Sequence, residues 1–554
     1  MLLKLKGGRI YDPAKGENGV VRDIYIRDGH IVAGADTRVD EEYDLSGKIV
    51  MAGAIDLHSH IGGGKVNIAR AMLPEDHRAS LQERTPVTRA GCGHAVPSTL
   101  TTGYRYAEMG YTAAFEPAVL PVNARQAHME MGDTPIIDTG GYAMLGNDDF
   151  LLRMMVAGAA QSAINDYVAW TLHATRCIAI KVVNPGGISA FKFNARKLEL
   201  DEQSPHYRLS PRAILTTLAR ALRELGVPHP LHVHASNLGV PGNIDTTLET
   251  MRASEGYPLH LTHIQFHSYG TEGDRKFSSG AVRIAEAINR NPHISADVGQ
   301  IMFGQTVTVS GDTMSQHRNS HLAHPKKWVS MDIECEAGCG VVPFRYRDQN
   351  FVNALQWAIG LEIFLMVDDP WRIYLTTDHP NGAPFTSYPH LIRLLMDKSF
   401  RNDMLASIHP DAASHSHLAA LDREYSLYEI AIMTRAGPAR TLGLTDRGHL
   451  APGAAADIVV YADEPDREKM FEKPELVFKD GALVAKQGRI VKVTRGAVHT
   501  VAPDYDRAIE RSLKDYFDRY RTMRFENFAI DPEELCECGH RHMITHACRP
   551  RDDA

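Results

Sequence analysis

Two histidines stand two residues apart at the end of an apolar segment. Residues 49–55 are apolar, Asp56-Leu57-His58-Ser59-His60 follows, and three glycines come shortly after. Side-chain direction repeats every two residues along an extended strand, so both imidazoles point to the same side and can bind one metal ion. Such a pair also occurs by chance, and a metal site therefore requires further ligands elsewhere in the chain.

A lysine lies inside a second apolar segment. Lys181 belongs to the β-branched run 178–183, which ends in an Asn-Pro-Gly-Gly turn. Burial of an ammonium ion is costly and lowers its pKa. The neutral amine reacts with carbon dioxide to give a carbamate, an anion that can bridge two metal ions.

Three more apolar segments end in metal-binding residue types. The residues are His232 and His234, His260 and His263, and Asp378. A hydrogen-bonded core histidine, or an aspartate that caps a helix, explains any one of them alone. Five segments in the order His-x-His, Lys, His, His, Asp make coincidence a poor explanation.

The segments that carry these residues alternate with amphipathic helices. Helical patterns such as 214–225 and 281–289 follow strand-like runs, which predicts βα units on a parallel sheet. About 390 residues of this kind suit a (β/α)8 barrel with insertions, whose chemistry lies at the carboxyl ends of the strands. Short alternating strands at both ends of the chain predict one small β domain.

Composition restricts the class of protein. The chain has 554 residues and a net charge of -8, so it offers no basic surface for nucleic acid. It contains no apolar run near 18 residues and begins with a strand-like segment, which predicts a cytoplasmic protein without a membrane span. Seven cysteines indicate reduced thiols or a local metal site, and 28 histidines favour metal chemistry.

The ordered set resembles the binuclear-metal members of the amidohydrolase superfamily. Lys181 to Gly187, His232 to Gly239, Ala296 to Gly304 and Thr377 to Pro380 resemble the alpha-subunit family of formylmethanofuran dehydrogenase, and most of all its formyltransferase/hydrolase complex alpha subunits. The similarity covers roughly residues 1–500, with Ala52 where the family has proline.

The resemblance implies a fold and its boundaries. The fold is α/β, a distorted (β/α)8 TIM barrel over residues 52–440 with a small β-sandwich from 1–51 and 441–500. Residues 501–554 form a Cys/His-rich extension.

The resemblance also implies two zinc ions. One is bound by His58, His60 and Asp378, and the other is bound by His234 and His263. Carboxylated Lys181 bridges the two ions. The six implied ligands are His58, His60, Lys181, His234, His263 and Asp378. His232 remains an alternative to His234, which we prefer because His-Ala-Ser resembles the family pattern. His260 remains an alternative to His263, which we prefer because it lies closer to the strand end.

A hydrolase reaction follows from the same resemblance. Two metal ions activate a water molecule, and Asp378 takes its proton as an N-formyl amide is split into formate and amine. The implied substrate is a furan-amine C1 carrier, formylmethylofuran or formylmethanofuran. A partner formyltransferase subunit in a hetero-oligomeric complex supplies it. Asn237 and His379, beside the ligands, are candidate substrate contacts.

Three other interpretations share these residues. An alpha subunit of formylmethanofuran dehydrogenase runs the condensation of formate with the amine. A cyclic-amide amidohydrolase has the same metal ligands. A non-catalytic scaffold subunit retains the barrel only to hold a formyltransferase.

The last part of the chain contains a second concentration of cysteine and histidine. The residues are Cys536, Cys538, His540, His542, His546 and Cys548. They predict either a structural zinc site or a solvated tail of reduced thiols. Cys335 and Cys339 either join such a zinc site or are plain loop thiols.

Overall fold

Eight parallel strands form the centre of the molecule. The computed structural model describes residues 1–34, 38–187, 198–311, 313–333, 337–537 and 539–549. In chain order the eight strands are β1 (Ala54–Asp56), β2 (Tyr111–Val119), β3 (Asp138–Met144), β4 (Ala179–Val183), β5 (Leu231–His234), β6 (Leu259–Leu261), β7 (Ile294–Asp297) and β8 (Ile373–Tyr374). Each pairs in parallel with the next.

The ring of strands closes just beyond β8 and β1. Ser59 and His379 form a parallel bridge there, and the His60 amide donates to the His379 carbonyl at 2.8 Å. The predicted (β/α)8 barrel is therefore confirmed.

Helices cover the outside of this barrel. Pro211–Leu225 shows why they form: Ser210 accepts a hydrogen bond from the Ala213 amide, and Gly226 ends the helix in the left-handed region. The other helices are Gly64–Met72, Pro74–Ala79, Thr99–Glu108, Ala124–Gly132, Asp149–Val156, Gln161–Thr175, Ile244–Arg252, Ala281–Arg290, Thr313–Asn319, Phe351–Met366, Tyr388–Met396, Lys398–Ser407, Pro410–Ser414, Leu427–Ala431, the π-helix Ile432–Ala436, Gly437–Leu442, Arg467–Glu472, Ile509–Tyr520 and Pro532–Glu537. None of the helices in the described ranges combines the length and apolar character needed to cross a bilayer.

A second sheet is built from both ends of the chain. Ile49–Ala52 pairs with Ile458–Tyr461 and so joins the two ends. The remaining strands of this sheet are Leu2–Asp12, Glu17–Arg27, His30–Val32, Glu41–Asp44, Leu476–Lys479, Ala482–Lys486 and Arg489–Ile490. Their inward apolar residues form a core separate from that of the barrel. The predicted small β domain is present in this form.

Two later strands join the barrel sheet instead. Val498–Val501 pairs with β3, and Met543–His546 pairs with Val498–Val501. The predicted boundary at residue 500 groups the first of these strands with the small β domain. The domain boundaries themselves stay a prediction.

An insertion between β7 and β8 covers one end of the barrel. Its strands Gly304–Ser310, Val329–Ile333 and Ala337–Tyr346 form an antiparallel sheet. Val307 and Val341 pack with residues of the helix Gly64–Met72, which follows β1. Two short hairpins, Leu81–Gln82 with Gly91–Cys92 and Tyr269–Gly270 with Ser278–Ser279, complete the strands.

Candidate metal centre

The first predicted ligands meet the last one where the barrel closes. His58 and His60 follow β1 instead of lying within it, because the strand ends at Asp56. His58 Nε2 lies 3.0 Å and His60 Nε2 3.5 Å from Asp378 Oδ1. All three side chains are buried, and their ligand atoms lie within 4.8 Å of one another. This group has the spacing of a site for one divalent cation.

Asp378 is held in an uncommon backbone conformation. Its φ is 51°, in the left-handed region that aspartate tolerates better than most residues. The side-chain Nδ2 of Asn381 donates to Asp378 Oδ1 at 3.0 Å. Burial alone raises a carboxyl pKa, but His263, His58 and His60 together hold the pKa of Asp378 well below its ordinary value. The side chain is therefore a carboxylate.

A second group of histidines lies beside the first. His234 ends β5, His263 follows β6, and His267 lies one short turn later. Their ligand atoms also lie within 4.8 Å of one another. His263 Nδ1 is buried without a hydrogen-bond partner among the described residues, as expected of a nitrogen that binds metal. Sequence reasoning missed His267, although its position four residues after His263 was a usable signal.

Lys181 lines one cavity together with members of both groups. The lining of this cavity includes His60, Lys181, His234, His263 and Asp378. The lysine is only 2% exposed. Burial lowers the pKa of Lys181 to about 8, so a fraction of the amine is uncharged near neutral pH.

The two alternative histidines lie deeper in the barrel. His232 Nε2 is 2.9 Å from His58 Nδ1. His260 is hydrogen-bonded to Ser295 and, at 3.1 Å, to Asp297 Oδ2. Neither ring lines the cavity, and this geometry favours His234 and His263. His58, His232 and Asp297 form a third close group, with ligand atoms within 4.8 Å of one another.

Comparison with known proteins identifies the family to which this site belongs. The model of the Amidohydrolase family matches residues 41–491. The chain belongs to the amidohydrolase family.

Individual amidohydrolases are similar over nearly the whole chain. FhcA, a subunit of the formyltransferase/hydrolase complex Fhc of Methylorubrum extorquens, is 43% identical over 535 residues, 96% of each chain. Protein FwdA of Methanocaldococcus jannaschii is 41% identical over 552 residues, again 96% of each. The crystal structure of FhcABCD from Methylorubrum extorquens in complex with methylofuran matches with a TM-score of 0.93 and 41% identity. That match covers 99% of this chain and 100% of the other. The resemblance to this alpha-subunit family is confirmed.

A glutamate that sequence reasoning missed supports the metal-binding group of His58, His60 and Asp378 in this amidohydrolase. Glu116 on β2 accepts from His60 Nδ1 at 2.8 Å, and from the amides of Ile61 at 2.8 Å and Gly62 at 3.2 Å. It thereby fixes the ring of His60 and the loop that follows. A single charged residue inside the apolar run 111–119 was the available signal, because an unpaired buried charge is costly.

The two candidate substrate contacts are engaged with protein. The side chain of Asn237 accepts a hydrogen bond from the Leu198 backbone N–H and donates one to Thr246 Oγ1. It does not line the cavity. His379 Nδ1 accepts from the Phe385 amide at 3.2 Å, and its ring packs edge-on against Phe385. These contacts favour a role in positioning the amidohydrolase loops, and substrate contact by either residue stays a prediction.

The carboxyl-terminal extension packs on the barrel. His540 Nε2 donates to the His128 carbonyl at 3.1 Å, and the His546 ring stacks on His499. Cys536 is exposed and Cys548 half-buried, whereas Cys538 and Cys335 lie outside the described residues. Over the described ranges, the close metal-binding groups do not include this extension. A zinc site there stays a prediction.

Proposed function

We propose that this amidohydrolase is the hydrolase subunit that releases formate from an N-formyl furan-amine C1 carrier. The carrier is of the formylmethylofuran or formylmethanofuran type. The observation that supports this most is one cavity bordered by both metal-binding groups, in a chain similar over 96% of its length to FhcA of a formyltransferase/hydrolase complex. The chain acts in a hetero-oligomeric complex with a formyltransferase subunit. Its cytoplasmic location stays a prediction.

The residues fit two zinc ions. Imidazole nitrogens and carboxylate oxygens are typical zinc ligands. His58, His60 and Asp378 would hold one ion, and His234 with His263 would hold the other. Carboxylated Lys181 would be a ligand to both, and the lowered pKa of its buried amine supports carboxylation, because only the uncharged amine reacts with carbon dioxide. When bound, the ions supply Lewis acidity and acidify water.

The chain itself moves the proton. Asp378 is a buried carboxylate that faces the cavity, so it takes the proton that water loses and delivers it to the departing amine nitrogen. The carbonyl carbon gains a bond to the water oxygen and loses its bond to nitrogen, giving the amine and formic acid, which releases its remaining proton to solvent and becomes formate. Tyr346 also lines the cavity, and burial raises the pKa of its phenol, so it remains a hydrogen-bond donor toward the substrate.

Formate release tests this proposal. The purified full-length chain, with the subunits that accompany it, is given a formylated furan-amine and, separately, a cyclic ureide. We expect formate from the first substrate only, and Asp378→Asn to slow its release by about 10² to 10⁴-fold, the usual contribution of a general base. Asp369→Asn, the same change beside the other end of β8, is the matched control and keeps wild-type turnover. Activity on the ring alone would refute the proposal.

A further inference from the structure

A second lysine lines the metal cavity. Lys65 stands in the first turn of the helix Gly64–Met72, and it shares the cavity with His60, Lys181 and Asp378. The metal groups and the proposed proton transfer do not use it.

The Lys65 ammonium has little to neutralise it. Its Nζ lies 3.6 Å from Met144 Sδ, and a thioether is a weak acceptor. Among the side chains that the structure describes, which exclude those of residues 312–315 and 331–338 in the insertion between β7 and β8, no carboxylate lies within ion-pair distance of this nitrogen. The surroundings lower the pKa of Lys65 by burial. A partly buried cation without a carboxylate partner is unfavourable, unless an anion that enters the cavity meets it.

The backbone before Lys65 is tightly held. Gly63 has a φ of 101°, and a Cβ at Gly62 would lie 3.0 Å from Met131 Cγ. Glu116 accepts from the Gly62 amide, and Glu130 accepts from the Gly63 amide at 2.7 Å. The loop therefore aims Lys65 at the cavity from a fixed position.

We propose that the Lys65 ammonium binds the carboxylate of formate as formate forms in this cavity. This inference rests on the proposed function, because the hydrolysis converts a neutral formyl amide into an anion. A cation that faces the cavity distinguishes the product from the substrate by charge. Lys65 therefore retains formate, and we expect formate to inhibit turnover.

The carbamate of Lys181 is the competing anion. Met144, the residue that Lys65 contacts, pairs in register with Lys181 on the neighbouring strand. A contact with that carbamate would affect zinc content, whereas a contact with formate affects formate affinity. The experiment therefore measures both.

Formate binding is titrated by calorimetry on the full-length zinc-loaded protein, with zinc measured in the same sample. We expect Lys65→Met to weaken formate binding by about 10 to 100-fold, the scale of one charged hydrogen bond, at wild-type zinc content. Lys65→Arg retains the charge and most of the affinity. Lys327→Met is the matched control, because Lys327 pairs with Glu75 outside the cavity. Inhibition of turnover by formate weakens in parallel in Lys65→Met.

Three results overturn the inference: no formate binding by the wild type, unchanged affinity in Lys65→Met, or loss of zinc from Lys65→Met. The last result assigns Lys65 to the carbamate. Calorimetry requires no turnover, so a wild type that binds formate through Lys65 but cleaves no formyl amide refutes only the proposed function. A wild type that cleaves the amide while Lys65→Met binds formate normally refutes only this inference.

Discussion

Glu116 supports His60 from outside the metal group, and we expect Glu116→Gln to weaken metal binding while the barrel stays folded. Its side chain is 3% exposed and accepts four hydrogen bonds. Oε1 accepts from His60 Nδ1 and, at 3.2 Å, from the Ala118 amide. Oε2 accepts from the amides of Ile61 and Gly62. Histidine metal ligands commonly depend on such a carboxylate for ring orientation.

The magnitude follows from the symmetry of this arrangement. A glutamine has one oxygen and one NH₂ group, so in either orientation the NH₂ faces two N–H donors. At least two of the four hydrogen bonds of Glu116 are lost. An unmet buried donor costs about 1–3 kcal/mol, which gives a destabilisation of about 2–6 kcal/mol before the loop relaxes. Metal affinity falls by about 10 to 100-fold, as for other carboxylates that orient a ligating histidine.

The assay measures how much zinc the protein retains after dialysis against increasing concentrations of a chelator. The thermal midpoint of the metal-free protein is measured alongside. Glu130→Gln is the matched control, because Glu130 supports the Gly63 amide of the same loop while His60 bonds Glu116. We expect Glu130→Gln to keep its zinc. Wild-type zinc retention by Glu116→Gln, or equal zinc loss in both variants, would show that the contact with His60 does not matter.

Four further outcomes are expected. Asp138→Asn removes one of the buried carboxylates that pair with Lys479, at 3.0 Å, while Asp457 still pairs with that lysine at 3.1 Å, so the free energy of unfolding should fall by about 1.5–3 kcal/mol, measured as a lower thermal midpoint. Burial lowers the pKa of His128 to about 3, so its neutral form is favoured by folding. The contribution of His128 to stability should fall by about 1.4 kcal/mol per pH unit from about pH 6.5 down to pH 3, and His128→Asn should make the stability profile less steep in that range. Metal analysis should find one zinc ion fewer per chain in His234→Asn than in the wild type, and both zinc ions in His232→Asn. Zinc removal should lower the thermal midpoint, since a ligand that binds only the folded state stabilises it.

The barrel and most of the site were predictable because their causes are local. Apolar strands with polar ends, separated by amphipathic helices, predict the fold and the edge at which chemistry occurs. The choice between His232 and His234 was not local. Both side chains point to the same side of β5. The two-residue period of a strand therefore predicts on which side of the strand they lie, but not how deep in the barrel each one lies. Depth depends on register, which pairs His232 with His260 inside the barrel and His234 with Val183, a residue that lines the cavity.

The supporting carboxylates were less accessible to sequence reasoning. Asp297 ends β7, where a cap or turn residue is an equally good interpretation. Only the fold shows that Asp297 Oδ1 accepts from the His263 amide at 2.9 Å and that Oδ2 reaches His260. His58 and His260 hold the pKa of Asp297 at about 2 against the opposing effect of burial, so a charged residue persists within the core. Its role depends on residues from β1 and β6, which no spacing within β7 predicts.

The metal centre also depends on how the barrel closes. His58 and Asp378 are 320 residues apart in sequence, and they meet because Ser59 and His379 bridge the first and last strands. Asp56 reinforces this join, since its carboxylate accepts from the His58 amide and from the hydroxyls of Tyr106 and Tyr388. Tyr388 belongs to the helix that follows β8, so one buried carboxylate ties both sides of the join together. A metal ion held by His58 and Asp378, as we propose, would therefore join the two ends of the barrel, and we expect metal affinity to depend on barrel closure.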